Sequence, residues 1–536
     1  MTPAAARAGS RVMPRLAAAG LVILVLSVMA ARLVGLARGD SLTYDERAYI
    51  YSGVCLVDTG RELDPRQPVG FRLLAGAGAL ATPGLTAPPC VALSDDRAWF
   101  AAQGPRLQDV IWHSRLGDVV LGMLVVLVLA AWGWAACGPP AAAVAAVASG
   151  FEPTVIAHTH LATPDALLTL GLITCIAAHW AWQTTGDRRW LAASAAGLAL
   201  GLLAKVIALE VVLVLFLAAW MPAVAARLRG RRDAAPARAL VRAGLAAGVV
   251  AAGGWLLLCL AYLPLLPRGS SPFHVVMPPQ WWHSLTYQLG QAGAGTTNYL
   301  NGYVYHGANL LYFPEAIVLK TTLPLLLLVV LAIVAARTGR PPATAHLLCA
   351  AAVILVVPSL GGIDIGVRYV LALYPLMAMA AASLVGGSWE TRRSLVVAGA
   401  LVLLVGESLA HGGDSIGYFN QLAGARPERY LADSNLDWGQ DAWRLRDWWV
   451  GQGRPELTTS YFGALPLADY GLRTTELPAG APPGDGRLAV SLTRLVVYGS
   501  AGDGLDALRQ CPSPGDRVGV SIQLGRGVSR TVCAVR

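Results

Sequence analysis

Long uncharged apolar runs recur along this chain of 536 residues and constrain its fold more than any other feature. A run of roughly 17–25 such residues is long enough to cross the hydrocarbon core of a bilayer as a helix. Charged residues make up only 14% of the chain. A soluble protein of this length would carry about 25%. The sequence therefore predicts a polytopic α-helical membrane protein.

The length criterion predicts about eleven transmembrane helices. The first apolar run lacks a convincing small-residue cleavage site, so we interpret it as a retained helix and not as a removed signal peptide. Lys205 divides two short runs, which are counted separately. The predicted crossings lie at residues 13–36, 109–134, 140–157, 165–183, 190–204, 206–222, 240–264, 316–336, 344–358, 367–386 and 394–410.

Arginines in the short inter-helix loops indicate the orientation, because such loops are enriched in basic residues on the cytoplasmic side. If Arg7, Arg11 and Arg15 lie in the cytoplasm, the later basic loops fall there too. The net charge of +9 therefore reflects membrane topology and does not indicate nucleic-acid binding. The basic loop residues are Arg188, Arg189, the cluster at 227–232, Arg238, Arg337, Arg340, Arg392 and Arg393.

Most of the polar chain then falls on the outer face, in the loops 38–108 and 265–315, the turn 158–165 and the tail from about residue 411. Richness in Ala, Gly and Arg is typical of a GC-rich bacterial gene. We therefore expect a multi-pass protein of the bacterial inner (plasma) membrane. Its N-terminus would be cytoplasmic and its chemistry extracytoplasmic.

The composition changes after the last apolar run, where charges, glycine and proline return. Residues 438–452 have helical spacing, whereas 457–463, 487–496 and 517–524 alternate as strands do. We predict two domains: a transmembrane catalytic domain at 1–410, and a small extracytoplasmic α/β domain at 411–536.

Four of the eight cysteines fall outside the membrane in this topology. Disulfides between Cys55 and Cys90 and between Cys511 and Cys533 would suit an oxidising compartment. The sequence alone does not fix the pairing. No CxxC or His/Cys cluster has the spacing of a structural zinc site.

The adjacent acids Asp45 and Glu46 stand directly after the first apolar run, in the stretch LTYDERAYIYSG. A carboxylate at a membrane interface can act as a general base, because partial burial raises its pKa toward neutrality. Neighbouring residues on a helix point about 100° apart, so only one of the two would face a substrate. The structural interpretation is a solvated helix start.

The turn at 151–171 brings His158, His160 and Asp165 to the same outer face. Thr163 and Pro164 resemble the N-cap and first position of a helix. Asp165 then also has a structural interpretation, as a first-turn acid that complements the helix dipole. The two histidines and the acid could bind a divalent metal, although no fixed ligand spacing requires one.

Basic side chains near apolar segments on the outer side form a third group. An arginine at a membrane edge is costly unless it is paired or faces a polar cavity. The functional interpretation is a phosphate clamp, for which the guanidinium fork is suited. The structural interpretation is a salt bridge to a carboxylate such as Asp364 or Asp118. The residues concerned are Arg66, Arg72, Arg115, Lys205 and Arg368.

Four segments together resemble the bacterial lipid-carrier-dependent glycosyltransferases of family 39. This family includes protein O-mannosyltransferases and the aminoarabinose transferases that modify lipid A. The segments are YDERAY at 44–49, HTHLATPDALLTLG at 158–171, IGVRYVLALYPL at 365–376 and YFNQLAGARPERYLADSNLDWGQD at 418–441.

The resemblance implies the membrane fold of the C superfamily of glycosyltransferases. It places the family's catalytic carboxylate at Asp45 and its second outer acid at Asp165. The first outer loop departs from the family pattern, because it reads DPRQPVGFRLL where relatives often have a His or a Pro-Pro segment. That departure leaves the roles of Arg66, Gln67 and Arg72 open.

The implied reaction is hexosyl or pentosyl transfer from a polyprenyl-phosphate sugar to a hydroxyl of a protein, a lipid or a cell-envelope glycan. Asp45 would take the proton of that hydroxyl, and one displacement would invert the anomeric centre. Glu46, His158 and His160 would then belong to the substrate-binding shell, with the arginines and Lys205 near the phosphate. Such a donor requires no soluble nucleotide.

Two other functions fit a membrane protein of this composition. A transporter or flippase of lipid-linked sugars would more often show repeats or broken helices in corresponding halves. A non-catalytic scaffold would only display the C-terminal domain. Replacement of Asp45 by Asn would separate the three, because only an enzyme would lose transfer.

Overall fold

The computed structural model describes residues 3–231, 235–266, 269–338, 343–385, 391–478, 486–499, 505–509 and 516–526. Helices dominate as far as residue 410. They are α1 Pro3–Gly39, α2 Glu46–Thr59, α3 Gly70–Leu80, α4 Asp96–Ala102, α5 Leu107–Cys137, α6 Pro139–Gly150, α7 Pro153–Thr159, α8 Pro164–Thr185, α9 Arg189–Ala204, α10 Glu210–Leu228, α11 Pro236–Tyr262, α12 Pro272–Val276, α13 Pro279–Ala294, α14 Tyr312–Lys320, α15 Leu323–Thr338, α16 Thr344–Ser359, α17 Leu373–Ala382 and α18 Thr391–Ala410.

A short hairpin of β1 (Thr297–Leu300) and β2 (Tyr303–His306) follows α13. The remaining elements lie beyond α18 and alternate between strands and short helices. They are α19 Ala442–Gly451, β3 Leu457–Ser460, β4 Thr475–Glu476, β5 Arg487–Ser491, α20 Leu492–Val496, α21 Asp506–Arg509, β6 Arg517–Val518 and β7 Ile522–Arg526.

The chain is a multi-pass helical membrane protein. By length and composition, 6 helices in the described residues could cross a membrane, or up to 8 if each bent pair counts as one span. Each apolar segment predicted from the sequence falls on a helix or on a bent pair of helices. Three of these segments fall on the shorter apolar helices α9, α16 and α17.

Two predicted crossings are bent, which the apolar pattern did not indicate. The segment at 140–157 divides into α6 and α7, which meet at 66°. Glu152 is extended there, because the following Pro153 disfavours a helical conformation at the residue before it. The segment at 316–336 divides into α14 and α15, which meet at 116°.

Close packing of α8 against α9 brings the ends of the two helices together. A Cβ atom on Gly171 would lie 2.4 Å from the backbone nitrogen of Gly201, so only glycine permits this approach. Lys205 is extended and ends α9, which confirms the predicted division of the chain at this residue. Asp165 stands in the first turn of α8, and the packing places Lys205 beside it.

The first outer loop contains the two short helices α2 and α3. They touch through Gly53 and Gly76: a Cβ atom on Gly53 would lie 2.2 Å from the Arg72 carbonyl oxygen, and one on Gly76 would lie 2.2 Å from the Gly53 backbone. A disulfide joins Cys55 to Cys90 with a Cα–Cα distance of 5.4 Å, so this predicted pair is confirmed. The other predicted pair, Cys511–Cys533, lies outside the described residues.

The C-terminal segment forms a five-stranded mixed sheet in the order β4-β3-β5-β7-β6. β3 pairs in parallel with both β4 and β5, whereas β7 pairs antiparallel with β5 and β6. The strands predicted at 457–463 and 517–524 correspond to β3 and the β6–β7 pair. The strand predicted at 487–496 is only half correct, because β5 ends at Ser491 and residues 492–496 form the helix α20.

This C-terminal segment packs directly on the first outer loop. Apolar side chains of α19 and β3 share one hydrophobic cluster with α2 and α4. The Tyr44 N–H donates to the Trp438 carbonyl at 3.0 Å, and the Ser41 N–H donates to the Gln440 carbonyl at 2.9 Å. The C-terminal segment and Asp45 therefore lie on the same side of the membrane helices.

We predict that loss of the Cys55–Cys90 bridge destabilises the outer loop. A disulfide across a loop of this length contributes about 2–4 kcal/mol, largely by restricting the unfolded chain. Cys55→Ser should lower the thermal unfolding midpoint, and reductant should lower the wild-type midpoint similarly. Cys349→Ser is the matched control, because Cys349 is a free thiol. A wild-type midpoint for Cys55→Ser would contradict this role.

Candidate active site

A cavity of about 750 Å³ opens where α2 begins. Its walls come from the start of α2, the first outer loop, α13 and the segment before α17. Three of the residues predicted as site residues line it, namely Asp45, Arg66 and Arg368. Segments far apart in sequence thus meet at one polar cavity on the side of the C-terminal sheet.

Asp45 and Arg368 form an ion pair at the wall of this cavity. The Arg368 Nη2 donates to Asp45 Oδ2 at 3.0 Å. The Asp45 side chain keeps 27% of its surface exposed, whereas only 3% of the Arg368 side chain is exposed. The carboxylate is therefore accessible from the cavity, and the guanidinium is held behind it.

The Arg368 guanidinium is fixed on several sides. Its Nε donates to Ser434 Oγ at 3.2 Å, and its Cζ lies 4.3 Å from the ring centre of Trp438. The ring of Tyr369 lies 5.1 Å away. The alternative predicted from the sequence, a salt bridge from Arg368 to Asp364, is not observed. Asp364 instead accepts hydrogen bonds from the Tyr305 hydroxyl and the Asn309 N–H.

A second ion pair is buried next to Arg368 and does not line the cavity. Lys205 Nζ donates to Asp165 Oδ1 at 2.6 Å, and both side chains are buried. Asp165 Oδ2 lies 3.7 Å from Arg368 Nη1 and accepts from the Thr163 hydroxyl at 3.2 Å. Asp165 thus stands between the two cations, and α8 starts at Pro164 as its sequence indicates.

Glu46 and Arg115 do not reach the cavity, which corrects the predicted substrate-binding role. Both are fully buried and pair with each other, the Arg115 Nε donating to Glu46 Oε1 at 2.8 Å. Glu46 also accepts from the N–H groups of Thr43 and Ala162. Burial raises the pKa of Glu46, but the charge of Arg115 and these hydrogen bonds outweigh it and lower the pKa. The pair is a structural link between α2, α5 and the turn before α8.

The two predicted arginines of the first loop differ in position. Arg72 is fully buried and donates to both carboxylate oxygens of Glu62, at 2.6 and 2.9 Å, so its placement is structural. Arg66 pairs with Asp64 but remains partly exposed on the cavity wall. Only Arg66 of the two can meet a ligand there.

The histidines of the turn lie behind the cavity. His160 Nε2 contacts Asp40 Oδ2 at 2.9 Å, and His158 packs edge-on against Trp438 with ring centres 6.4 Å apart. No group of three or more His, Cys, Asp or Glu in the described part of the chain is arranged to hold a metal ion. Because Asp165 is already occupied by cationic side chains, this donor set does not fit the metal site considered from the sequence.

Asp433 lies close enough to Arg368 and Asp45 to feel both charges, and no local sequence pattern distinguishes it as a site residue. It is half-buried, adopts a left-handed φ of 54° and accepts from the Ser434 N–H at 2.6 Å. Burial raises the pKa of Asp433 to about 7. The charge of Asp45 also raises this pKa, whereas the hydrogen bond from Ser434 and the charge of Arg368 lower it. Its segment, DSNLDWGQD, belongs to the fourth segment that resembles family 39, and this resemblance is the sequence signal that points to it.

The arrangement joins an accessible carboxylate to a buried guanidinium at one cavity. A carboxylate of this kind can accept a proton from a hydroxyl that enters the cavity. The guanidinium can stabilise negative charge that develops on a leaving oxygen. The pair therefore provides the elements for transfer to a hydroxyl with an anionic leaving group.

Comparisons with known proteins give one family match and several structural similarities. In the structural comparison, ArnT from Cupriavidus metallidurans bound to undecaprenyl phosphate has 14% identity and a TM-score of 0.49, covering 96% of this chain and 99% of that chain. The apo oligosaccharyltransferase of Archaeoglobus fulgidus has 11% identity and a TM-score of 0.46, covering 88% of this chain and 70% of that chain. No curated protein matches the sequence.

The family match covers residues 22–226. This part of the chain contains Asp45, Asp165 and Lys205, and hence two of the four segments on which the resemblance was based. The family is described as dolichyl-phosphate-mannose-protein mannosyltransferase. The resemblance to family 39 glycosyltransferases is thus confirmed, with residues 22–226 matching the dolichyl-phosphate-mannose-protein mannosyltransferase family.

Proposed function

We propose that the protein is a membrane glycosyltransferase that moves a sugar from a polyprenyl phosphate to an acceptor hydroxyl by a single inverting displacement. The observation that carries the proposal is the ion pair of Asp45 and Arg368 at the cavity wall. The description of the family matched by residues 22–226 names a sugar donor linked to a lipid phosphate, which supports the proposed class of donor.

In the proposed step, the acceptor oxygen attacks the anomeric carbon while Asp45 takes the hydroxyl proton. A new carbon–oxygen bond forms, and the bond between the anomeric carbon and the phosphate oxygen breaks. Its electron pair leaves with the polyprenyl phosphate. Attack from the opposite face inverts the anomeric centre, and the proton on Asp45 is then released through the cavity.

Donor binding would change the partner of Arg368. The Arg368 Nη2 group donates to Asp45, and both residues line the cavity, so a phosphate that enters the cavity would compete for this group. Phosphate binds a guanidinium fork in a bidentate manner. We propose that the phosphate displaces Asp45 from Arg368, which leaves the carboxylate free to accept the acceptor proton.

Asp165 and Lys205 would support this exchange from behind. Asp165 lies between Lys205 and Arg368, and it would keep the guanidinium in place when Asp45 is released. Lys205 is buried and lies 4.6 Å from the ring centre of Tyr369, which lines the cavity. We assign both a positioning role, with Asp45 as the catalytic base.

We further propose the eleven-crossing topology, with residues 1–410 as the catalytic membrane domain and residues 411–536 extracytoplasmic. The helices α9, α16 and α17 and the two bent pairs would then each cross once, in addition to the long helices. The cavity would open on the outer face, where polyprenyl-phosphate sugars present their head groups.

The orientation can be tested by cysteine labelling in intact spheroplasts with a membrane-impermeant reagent. Gln452→Cys, at the end of α19, should gain label over wild type before lysis, because it is exposed beside the C-terminal sheet. Arg188→Cys, in the exposed turn before α9, should gain label only after lysis. The reverse pattern would contradict the orientation.

Asp45→Asn should lower turnover by at least about 10²-fold, within the usual range for acid–base groups. The amide keeps the shape of the carboxylate but cannot take the proton. Donor affinity should be retained or increased, because Arg368 is no longer shared with an anion. The measurement is transfer from a purified polyprenyl-phosphate sugar, alongside donor affinity.

Asp58→Asn is the matched control for this test, because Asp58 is an exposed carboxylate near the other end of the same helix. It should transfer sugar at the wild-type rate. Normal transfer by Asp45→Asn would refute the general-base assignment. Normal lipid-linked sugar translocation without transfer by the wild-type protein would favour a flippase.

Arg368→Lys should lower donor affinity and turnover roughly 10- to 100-fold, because the single ammonium replaces hydrogen bonds from a charged fork. Arg97→Lys, on the exposed surface of α4, serves as the control and should behave as wild type. Wild-type kinetics in Arg368→Ala would contradict the phosphate role.

A further inference from the structure

Three aromatic rings stand in a stack next to Asp45. The rings of Tyr44 and Phe462 lie 5.1 Å apart with an angle of 2° between their planes. Phe462 in turn stacks on Tyr498, with centres 5.8 Å apart and an angle of 25°. Phe462 is 6% exposed, whereas Tyr44 is 54% and Tyr498 is 50% exposed. The stack is therefore buried in the middle and open at both ends.

The open end at Tyr44 faces the cavity. Tyr44 precedes Asp45 in the chain and lines the same cavity. Because Phe462 covers one face of the Tyr44 ring, its exposed half consists of the opposite face and the ring edges. A free aromatic face thus lies beside the proposed base.

The C-terminal segment holds this ring in place. The Tyr44 N–H donates to the Trp438 carbonyl at 3.0 Å. The loop that carries Phe462 is fixed by the Tyr461 hydroxyl, which donates to the Gly439 carbonyl at 2.7 Å. The Tyr44 ring is therefore preorganised with respect to Asp45, as a substrate platform requires.

Exposure alone does not distinguish Tyr44, because Tyr498 is similarly exposed. Tyr44 differs in that it lines the cavity beside Asp45, whereas Tyr498 does not line it. The cavity lining contributed by the same segments also includes the polar side chains of Asp45, Arg47, Ser94 and Asp96. The ligand should therefore combine one apolar face with a rim of hydrogen-bonding groups.

We propose that Tyr44 is the stacking platform of the acceptor subsite and that the acceptor is a carbohydrate. This inference rests on the proposed glycosyltransferase function. A pyranose ring presents C–H groups on its face and hydroxyls around its rim, which matches an aromatic face within a polar wall. Packed on Tyr44, the ring would present one hydroxyl to the neighbouring Asp45.

The platform belongs to the acceptor side for a geometric reason. The stack leads away from the cavity into the C-terminal segment, through Phe462 in the loop after β3 and Tyr498 after α20. The donor, by contrast, is anchored in the bilayer by its polyprenyl chain. An acceptor that approaches from the C-terminal segment would meet Tyr44 first and Asp45 next.

The first part of the test identifies the class of acceptor. Radiolabelled polyprenyl-phosphate sugars are purified from host cells that lack the gene and are supplied to the full-length protein in proteoliposomes. Acceptor fractions from the same cells are envelope polysaccharide, envelope protein and lipid extract. Label in protease-resistant polysaccharide is the expected result. Label in protein or lipid would overturn the carbohydrate assignment, and no transfer to any fraction would refute the proposed function itself.

The second part measures the role of Tyr44 by separating acceptor KM from donor KM. Tyr44→Ala should raise the acceptor KM about tenfold, since an aromatic contact is worth up to about 1.5 kcal/mol. Tyr44→Phe should stay within about twofold, because it keeps the stacking face. The donor KM should be unchanged in both variants.

Tyr498→Ala is the matched control, because it removes an equally exposed tyrosine from the far end of the same stack. It should leave the acceptor KM near the wild-type value. An increase in the donor KM of Tyr44→Ala would assign the ring to the donor sugar and overturn the proposal. A wild-type acceptor KM in Tyr44→Ala would overturn it as well.

Discussion

A buried charge must be paired, and this constraint organises the site. Removing one partner from a buried ion pair typically costs 3–5 kcal/mol, because the other charge is left uncompensated. Arg368 is buried and lies between Asp45 and Asp165, and Asp165 also holds Lys205. Segments from the first outer loop, α8, the end of α9 and the chain before α17 are therefore bound together by electrostatics. Asp45 is the exposed end of this network, so it is the member that can exchange its partner.

A second set of contacts keeps the exposed acid in place. The buried pair of Glu46 and Arg115 fixes the start of α2 against α5, directly beside Asp45. From the other side, backbone hydrogen bonds join Ser41 and Tyr44 to the segment before α19. The adjacent acids thus divide their roles according to environment: Glu46 is structural, and Asp45 faces the cavity. Ser434 and Trp438 of the C-terminal segment contact Arg368, so this segment supports the site and is not merely attached to the membrane helices.

Much of the fold follows from the sequence, because a span of apolar residues has few alternatives in a bilayer. The apolar helices, the Cys55–Cys90 pair and the strands β3, β5, β6 and β7 lie within predicted segments. The strand β4 was not predicted, and residues 492–496, predicted as strand, form α20. The bends at α6–α7 and α14–α15 were not predicted, because hydropathy reports where apolar residues lie and not the path of the backbone. Pro153 was the local signal for the first bend.

The site was only partly predictable. Sequence patterns selected Asp45, Asp165, Lys205 and Arg368, whose side chains do meet. They could not separate these from Arg72 and Arg115, because both kinds of arginine stand near apolar segments and differ only in their partners. The pairing of Glu62 with Arg72 depends on tertiary packing that no local pattern encodes. The stack of Tyr44, Phe462 and Tyr498 joins residues more than 400 positions apart, so spacing alone could not reveal it.

In the proposed mechanism, Arg368 passes from Asp45 to the phosphate of the lipid carrier. This exchange can be observed in a structure of the protein in a lipid nanodisc with polyprenyl phosphate bound. We expect a phosphate within hydrogen-bonding distance of the Arg368 guanidinium, with the Asp45 carboxylate released and facing the cavity. A phosphate bound elsewhere, with the Asp45–Arg368 pair intact, would contradict it.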